Sequence, residues 1–247
     1  MRERVRLLVT PDLHPYLNMA LDQTLASEPF TVRFYSFDPP GLSLGYFQSA
    51  ADFPSAALRR FRAVLVRRVT GGAAILHDRD ITFSLIGRPD HPTFAGDIKA
   101  SYARIHAAIA VGLSNLGVAT EPRDDATPRS DSGRTQEAAC FLKASSFDLV
   151  AGARKLVGSA QRRTPGRVLH HGSIPLVPNA LASEASSLER ELGRAIAFPE
   201  AEEALERAFA ESFSWDFDRR DLTASELARA QECVASQFGT SEWNERV

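Results

Sequence analysis

The stretch RRVTGGAAILHD at residues 67–78 gathers two arginines, two adjacent glycines and a histidine–aspartate pair. Gly71 and Gly72 let a backbone pass close to a ligand and present N–H groups to an acceptor. In a strand, Arg67 and Arg68 point to opposite faces, so at most one of them faces a pocket while the other is solvated. The stretch therefore indicates a binding loop for an anion, a carbonyl or a phosphate. A glycine turn beside solvated arginines explains the same residues equally well.

Three further side chains have the right chemistry for a site. His77 followed by Asp78 resembles a base with an orienting carboxylate, although a histidine on a strand is more often structural. Cys140 follows a long polar loop, a position typical of a pocket rim, but a lone cysteine is more often a small buried apolar residue. Lys155 is one of only three lysines among 29 basic residues. Lysine can lose its proton near neutral pH and arginine cannot, so Lys155 is a candidate for acid–base chemistry, with a solvated turn lysine as the alternative.

Small residues follow Lys155 in the stretch GSAQ, where Gly158, Ser159 and Ala160 leave room for a linear ligand against the backbone. Further on, HHG places His171 and Gly172 on a predicted strand. Adjacent histidines diverge on a strand, and no Cys/His spacing in the chain resembles a zinc site, so we expect no metal centre.

Composition sets the broad class. The chain has 247 residues, 44% of them hydrophobic and 24% charged, and a formal net charge of −2, as in an ordinary soluble globular protein. This charge gives no reason to expect nucleic acid or an anionic membrane as a partner. The first fifteen residues lack a long apolar segment, and two cysteines make no disulfide framework, so we expect a cytoplasmic protein. Cys233 falls in a predicted amphipathic helix and is expected to be buried there.

Periodicity predicts the elements that position these residues. Helices are expected at about 15–27 and 97–117, strands at 30–37 and 61–69, and a hairpin over 73–87 that turns at residues 78–80. Residues 119–137 contain almost nothing to bury and predict a long loop. Strands follow at 145–150, 155–163 and 166–177, and from about 185 the pattern becomes helical, with a capping box at TASE (223–226) and a stop at Gly239. The order predicts an α+β fold with mixed and antiparallel sheets flanked by helices.

The motifs taken together resemble the lipoate/biotin protein ligase catalytic-domain family. RRVTGGAAILHD resembles its signature loop, KLVGSAQRR and VLHHGSIPL its downstream strands, LNMALDQTLA its first helix, GLSLGYFQSA its second strand and turn, and SEWNE its C-terminal motif. The resemblance covers residues 5 to 245 and implies one catalytic domain over 1–247 with a helical tail from about 185. The stretch ACFLKASSFDLVAGARKLVGSAQ is closest to the single-domain cysteine–lysine octanoyltransferases of lipoate biosynthesis.

That resemblance implies roles for the candidate residues. Cys140 would accept the octanoyl group as a thioester, and Lys155 would lower the pKa of its thiol. Arg68, Gly71, Gly72 and His77 would form the loop of the acyl pocket. The remaining substrate-binding residues implied by the family are Gly158, Ser159, Ala160, His171 and Gly172. Ala73 and His170 depart from the usual pattern, since a third glycine and a glutamine are common there.

The resemblance also implies partners. The donor would be octanoyl-acyl carrier protein and the acceptor a lysine of a lipoyl domain, as in the glycine cleavage H protein or a 2-oxoacid dehydrogenase E2. No cofactor is implied beyond the donor's own phosphopantetheine. ATP and Mg²⁺ are implied only if the chain is instead a lipoate-protein ligase, a function that His170-His171-Gly172 keeps open. The family also includes octanoyl amidotransferases that act between lipoyl domains, and a chain with this fold could bind an acyl group or a lipoyl domain without catalysis.

Two regions have predicted roles in addition. The polar loop at 119–137 is expected to act as a flap over the acyl site, or to be a surface insertion without function. Five arginines within ten residues are expected to form a basic patch that attracts an acidic carrier protein. These are Arg59, Arg60, Arg62, Arg67 and Arg68.

Overall fold

The computed structural model of the chain describes residues 2–53, 55–123 and 148–246. The strands among these residues are β1 (Glu3–Leu13), β2 (Thr31–Phe37), β3 (Gly41–Leu44), β4 (Val64–Arg67), β5 (Ile75–His77), β6 (Asp80–Gly87), β7 (Glu121–Pro122), β8 (Leu149–Ala151), β9 (Arg154–Thr164), β10 (Arg167–Pro175) and β11 (Trp215–Arg219). Eight of these eleven strands form one mixed sheet in the order β11-β1-β2-β6-β10-β9-β8-β7. Strand β1 is parallel to both of its neighbours, and the other pairs in this sheet are antiparallel.

The predicted hairpin over 73–87 is wrong. Strands β5 and β6 are consecutive and the chain does turn between them, at Arg79 with a φ of 57°. However, β6 lies between β2 and β10 in the large sheet, whereas β5 pairs with β3 in a separate sheet of order β4-β3-β5. Apolar residues on both sides of a turn predict two strands, but they do not specify that each strand pairs with a distant partner instead.

Helices cover both faces of the large sheet. They are α1 (Pro15–Thr24), α2 (Ser55–Phe61), α3 (Ile98–Asn115), α4 (Leu188–Leu192), α5 (Phe198–Phe213), α6 (Ala224–Cys233) and α7 (Ser241–Asn244), with a π-helical turn at Val234–Phe238. One face packs under α3 and α5 in an apolar core that includes Phe34, Phe83 and Leu205. The other face packs under α1, α6 and the small sheet, around residues such as Leu21 and Tyr35. Because both faces are covered, all seven residues of β2 are buried.

The local signals for helices are largely confirmed. Helix α3 begins after Asp97, whose side chain accepts from the Ala100 N–H, and the chain leaves the helix at Gly117 with a φ of 96°. The capping box at Thr223 and Glu226 is present at the start of α6. Helix α1 ends three residues earlier than predicted, at Thr24.

Three elements differ from the prediction. Phe61 ends helix α2, so the strand predicted over 61–69 is shortened to Val64–Arg67. The first strand, Glu3–Leu13, is absent from the prediction, because its polar residues interrupt the apolar alternation. The tail after residue 185 is not purely helical. Its strand β11 pairs in parallel with β1, as at Glu3 and Trp215, and so completes the edge of the large sheet.

Candidate active site

A narrow pocket lies on the face of the large sheet that α1 and the small sheet cover. Its empty volume, including the open space at its mouth, is about 410 Å³. The floor runs across the sheet from β9 through β10 and β6 to β2, and β3, β5 and the glycine loop form the opposite wall. The lining residues are Met19, Tyr35, Ser43, Arg68, Gly72, Ile75, His77, Thr82, Gly158, Ser159, Ala160, His171, Gly172 and Ser173. Of the predicted substrate-binding residues, all except Gly71 line this pocket.

The glycine loop is held by the arginine that precedes it. Arg68 is 3% exposed and donates to the carbonyls of Ser43, Gly71 and Ala73 at 2.8–2.9 Å. Gly72 has a φ of 94° and passes so close to Gly45 that a Cβ on Gly45 would lie 1.7 Å from the Gly72 oxygen. Arg68 therefore fixes the shape of the loop, and only glycine fits the crossing point.

The expectation that one arginine of the pair is solvated is wrong. Arg67 is fully buried, and its guanidinium donates to backbone carbonyls that include those of Trp243, Asn244 and Arg246. The Asn244 side chain accepts from the Arg67 N–H, and the Trp243 indole donates to the Arg67 oxygen. The C-terminal SEWNE motif thus holds the end of β4 in place through these hydrogen bonds. Since Arg68 is buried too, the predicted basic patch loses two of its five members.

His77 is oriented by a different carboxylate from the one predicted. Asp78 is exposed, and His77 Nδ1 lies 2.7 Å from an oxygen of Asp80. The other ring nitrogen lies 2.9 Å from the Ser43 hydroxyl, and the ring stacks on Phe37 at 4.0 Å. Ser43 is 0% exposed, so its hydroxyl is not a nucleophile open to solvent. The hydrogen bonds among Ser43, His77 and Asp80 instead stabilise the pocket wall.

His171 belongs to a second buried network. Its Nδ1 lies 2.9 Å from Asp22, which also accepts from Tyr35 and lies 3.0 Å from the Arg33 guanidinium. Burial alone would raise the pKa of Asp22, but the hydrogen bond from His171 and the charge of Arg33 hold it below the ordinary value. Burial lowers the pKa of His171 despite the opposing effect of Asp22. A neutral imidazole that donates from Nδ1 leaves Nε2 to accept from the Thr70 hydroxyl, 2.6 Å away.

Lys155 lies at the β9 end of the pocket. Its Nζ is 2.9 Å from Asp148, and both side chains are less than 5% exposed. A Cβ on Gly158 would lie 2.7 Å from Lys155 Cε and 2.9 Å from Nζ, so the lysine crosses the strand through the space that this glycine leaves open. On the neighbouring strand, a Cβ on Gly172 would lie 2.5 Å from Phe83 Cζ and 2.6 Å from the Gly158 oxygen, so a glycine is needed there for β9, β10 and Phe83 to pack. The lysine, its carboxylate partner and the pocket therefore form one unit.

The remaining predicted catalytic residue, Cys140, lies outside the described residues, as does most of the loop at 119–137. Cys233 is half-buried on α6, and burial raises the pKa of its thiol. Sequence reasoning missed the three carboxylates that organise the site: Asp22, Asp80 and Asp148. In each case the partner is at least three residues away, so no motif of adjacent residues marks the carboxylate in the sequence. Among the described residues, no group of three His, Cys, Asp or Glu side chains could hold a metal ion.

The fold is that of the lipoate protein ligases. A structure of lipoate-protein ligase A bound with ATP aligns with a TM-score of 0.79 and 24% identity, covering 99% of both chains. A bi-partite lipoate protein ligase from Thermoplasma acidophilum aligns with a TM-score of 0.78 and 22% identity, covering 98% of this chain and 96% of its own. At these identities the comparison defines the fold alone.

Sequence comparison gives the family. The model of the lipoyl protein ligase A/B catalytic domain matches residues 14–180, and the chain belongs to this family. The octanoyltransferase LipM of Moorella thermoacetica is 38% identical, over 99% of this chain and 98% of its own length. The octanoyltransferase LipM of Brevibacillus brevis is 34% identical, over 99% of both chains. The predicted family and fold class are therefore confirmed.

Proposed function

We infer that the chain is an octanoyltransferase of lipoate biosynthesis, which moves an octanoyl group from acyl carrier protein to a lysine of a lipoyl domain through a thioester on Cys140. Full-length similarity to octanoyltransferases supports the reaction class. The observation that carries the mechanism is the buried pair of Lys155 and Asp148 at one end of a narrow pocket.

In the first half-reaction, the Cys140 thiolate attacks the carbonyl carbon of the octanoyl thioester. A new C–S bond forms to Cys140, the C–S bond to the donor breaks, and the proton of the cysteine passes to the departing thiolate. A free cysteine has a pKa near 8.5, so a neighbouring ammonium raises the fraction present as thiolate. Lys155 supplies this charge, and because both thiols and both thioesters are chemically alike, the step needs no ATP.

In the second half-reaction, the amine of the acceptor lysine attacks the octanoyl-Cys140 carbonyl. A C–N bond forms, the C–S bond breaks, and the amine must lose a proton to a base. The pair of Lys155 and Asp148 provides that base, with the carboxylate able to take up the proton that the lysine passes on. Amide formation from a thioester is downhill and drives the transfer.

The pocket supports an unbranched acyl substrate. Gly158 leaves space on its floor that a side chain would fill, and Met19 and Tyr35 line it as well. The polar groups at the wall are already paired with one another, as in the contact of His77 with Asp80, so they do not compete with a hydrocarbon chain for the space. The acceptors we propose are the glycine cleavage H protein or a 2-oxoacid dehydrogenase E2, in the cytoplasm and without a bound cofactor. None of the described helices is long and apolar enough to cross a membrane.

The test is intact-mass analysis after mixing the protein with octanoyl-acyl carrier protein, with and without ATP. We expect one octanoyl group on the wild-type protein without ATP, none on the Cys140→Ser variant, and transfer to a lipoyl domain added afterwards. Product only with ATP and the free acid would instead identify a ligase. Product only from an octanoylated lipoyl domain would identify an amidotransferase, and no transfer from any donor would leave a binding protein.

A further inference from the structure

A second, wider pocket opens beside the acyl pocket, with about 790 Å³ of empty space. Two arginines and two glutamines supply most of its polar lining, and two aromatic side chains stand at its edge. The principal lining residues are Gln23, Tyr46, Arg162, Arg167, Gln237 and Trp243. Within the described part of the chain no carboxylate lines this pocket, so a ligand with negative charge would meet two guanidinium groups and no opposing anion.

The two guanidinium groups carry charge that the described residues do not neutralise directly. Arg162 donates to the Val69 oxygen at 3.0 Å, and Arg167 donates to the Leu25 oxygen at 3.2 Å. Neither forms a salt bridge with a described carboxylate. Burial lowers the pKa of Arg167, the charge of Asp22 opposes this, and the like charge of Arg162 lowers it further. Both guanidinium groups line the same pocket, and an anion between them would offset the repulsion between their charges.

The same elements line both pockets. On β9, Ala160 lines the acyl pocket and Arg162, two residues on and facing the same way, lines the second pocket. On β10, His171 lines the acyl pocket and Arg167, four residues earlier and facing the same way, lines the second pocket. On α1, Met19 and Gln23 lie one turn apart on one face of the helix. The two pockets therefore adjoin along one face of the sheet.

The distance between the two pockets fits a single ligand that spans both. Gly158, beside the Lys155 ammonium, and Arg162 are four residues apart on a strand, or about 13 Å, and a guanidinium reaches several ångströms further. A pantetheine arm, with its two amide groups, has the reach of about five extended residues, or ~17 Å. A thioester held near Lys155 would thus place the phosphate at the end of its arm within range of both arginines.

We propose that Arg162 and Arg167 form a subsite for a phosphate group, and specifically for the phosphate of the acyl donor's phosphopantetheine arm. This source rests on the proposed function. A nucleotide is the other source of the same chemistry, and the aromatic side chains disfavour it. Arg246 lies over the Tyr46 ring at 4.1 Å and over the Trp243 ring at 4.3 Å, and Arg162 itself lies 5.6 Å from the centre of the Tyr46 ring, so arginines already contact the rings on which a base would stack.

The experiment compares octanoyl-phosphopantetheine with octanoyl-pantetheine, which lacks the phosphate, as donors in formation of the octanoyl-enzyme. Wild-type kcat/KM should be about tenfold or more higher for the phosphorylated donor, because a charge-assisted hydrogen bond is lost without it. Arg162→Gln should remove this preference by lowering kcat/KM for the phosphorylated donor towards that for octanoyl-pantetheine, and Arg162→Lys should restore part of it. Arg162 is exposed, so its loss does not threaten the fold. The matched control is Arg207→Gln, because Arg207 is an exposed arginine on α5 at the opposite face of the sheet. This variant should retain the full preference for the phosphorylated donor.

Binding of phosphopantetheine and of AMP, measured by calorimetry without any acyl group, separates the subsite from the proposed function. Phosphopantetheine binding that is lost in Arg162→Gln supports the subsite even if no acyl transfer is found. Equal kcat/KM for the two donors in the wild type overturns it, even if the chain proves to be an octanoyltransferase. AMP binding that depends on Arg162 while phosphopantetheine binding does not would overturn the assignment to the donor arm.

Discussion

Replacing Gly158 by alanine tests whether the position of the Lys155 ammonium controls the chemistry. The added Cβ would lie 2.7 Å from Lys155 Cε and 2.9 Å from Nζ. Carbon–carbon contacts are comfortable at about 3.5–4.0 Å, so the end of the lysine must move by roughly 1 Å. That movement breaks the 2.9 Å contact with Asp148. The lysine is flexible, and we therefore expect the strand to remain in place.

The expected loss is one of rate and not of folding. A misplacement of about 1 Å in a catalytic group costs about 10²-fold, equivalent to ~2.7 kcal/mol of transition-state stabilisation. We expect kcat/KM for transfer to a lipoyl domain to fall by this factor in Gly158→Ala. The rate at which Cys140 reacts with iodoacetamide at neutral pH should fall as well, since the thiolate loses part of the positive charge beside it. The measurement is made against Cys140→Ser to subtract the reaction of Cys233.

Gly152 provides the matched control. It lies in the turn between β8 and β9, its φ is 56°, and a Cβ there would meet open space. Gly152→Ala should reduce the free energy of unfolding by about 1 kcal/mol through backbone strain and leave transfer unchanged. In a Lys155→Ala background, Gly158→Ala should cause no further fall in thiol reactivity. Wild-type activity in Gly158→Ala, or an undiminished effect without the lysine, would refute the reasoning.

Four more outcomes are expected from the site and its surroundings. Lys155→Arg should accumulate octanoyl-enzyme and deliver little product, because guanidinium keeps the charge but cannot act as a base; rapid turnover by this variant would remove the base role. Cys140→Ser should abolish transfer, whereas Cys233→Ser should change it less than about twofold in the same assay, since Cys233 lies on α6 outside the acyl pocket. Asn244→Ala should lower the free energy of unfolding by about 2 kcal/mol in urea titrations, because it leaves two buried backbone groups without their partner. Burial, and then nearby positive charges, hold the pKa of His170 well below 6.5, so stability should fall as the pH drops below 6.5, and His170→Gln should flatten that fall between about pH 7 and 5.5.

Local sequence signals specify much of the fold. The capping box at 223–226 and the periodic stripe of α3 depend on residues within a turn or two, and both are present at the predicted positions. The partners of strands depend on contacts far apart in the chain. Strand β5 therefore resembles half of a hairpin in the sequence, although it pairs with β3. Strand β11 lies in a segment with a helical pattern, and it becomes the edge of the sheet only by pairing with β1, more than 200 residues away.

The site shows the same division between local and distant information. The glycine loop and the small residues after Lys155 are recognisable because backbone proximity requires small residues wherever it occurs. The carboxylates are not recognisable, because Asp22 acquires its role only when β10 brings His171 to it. The wrong prediction for Arg67 has the same cause. The alternation rule correctly separates it from Arg68, but the C-terminal segment, about 177 residues further on, takes the place of solvent around it.

The two faces of the sheet explain why so much charge is buried in this chain. The face under α3 and α5 is packed mainly with aliphatic and aromatic residues. The pocket face instead carries the pairs of Arg33 with Asp22 and Lys155 with Asp148. Buried ion pairs commonly contribute little to stability relative to apolar residues of the same size, because desolvation offsets their attraction. Their concentration on the pocket face is therefore better explained by what they fix there: the shape of the acyl pocket and the charge at its end.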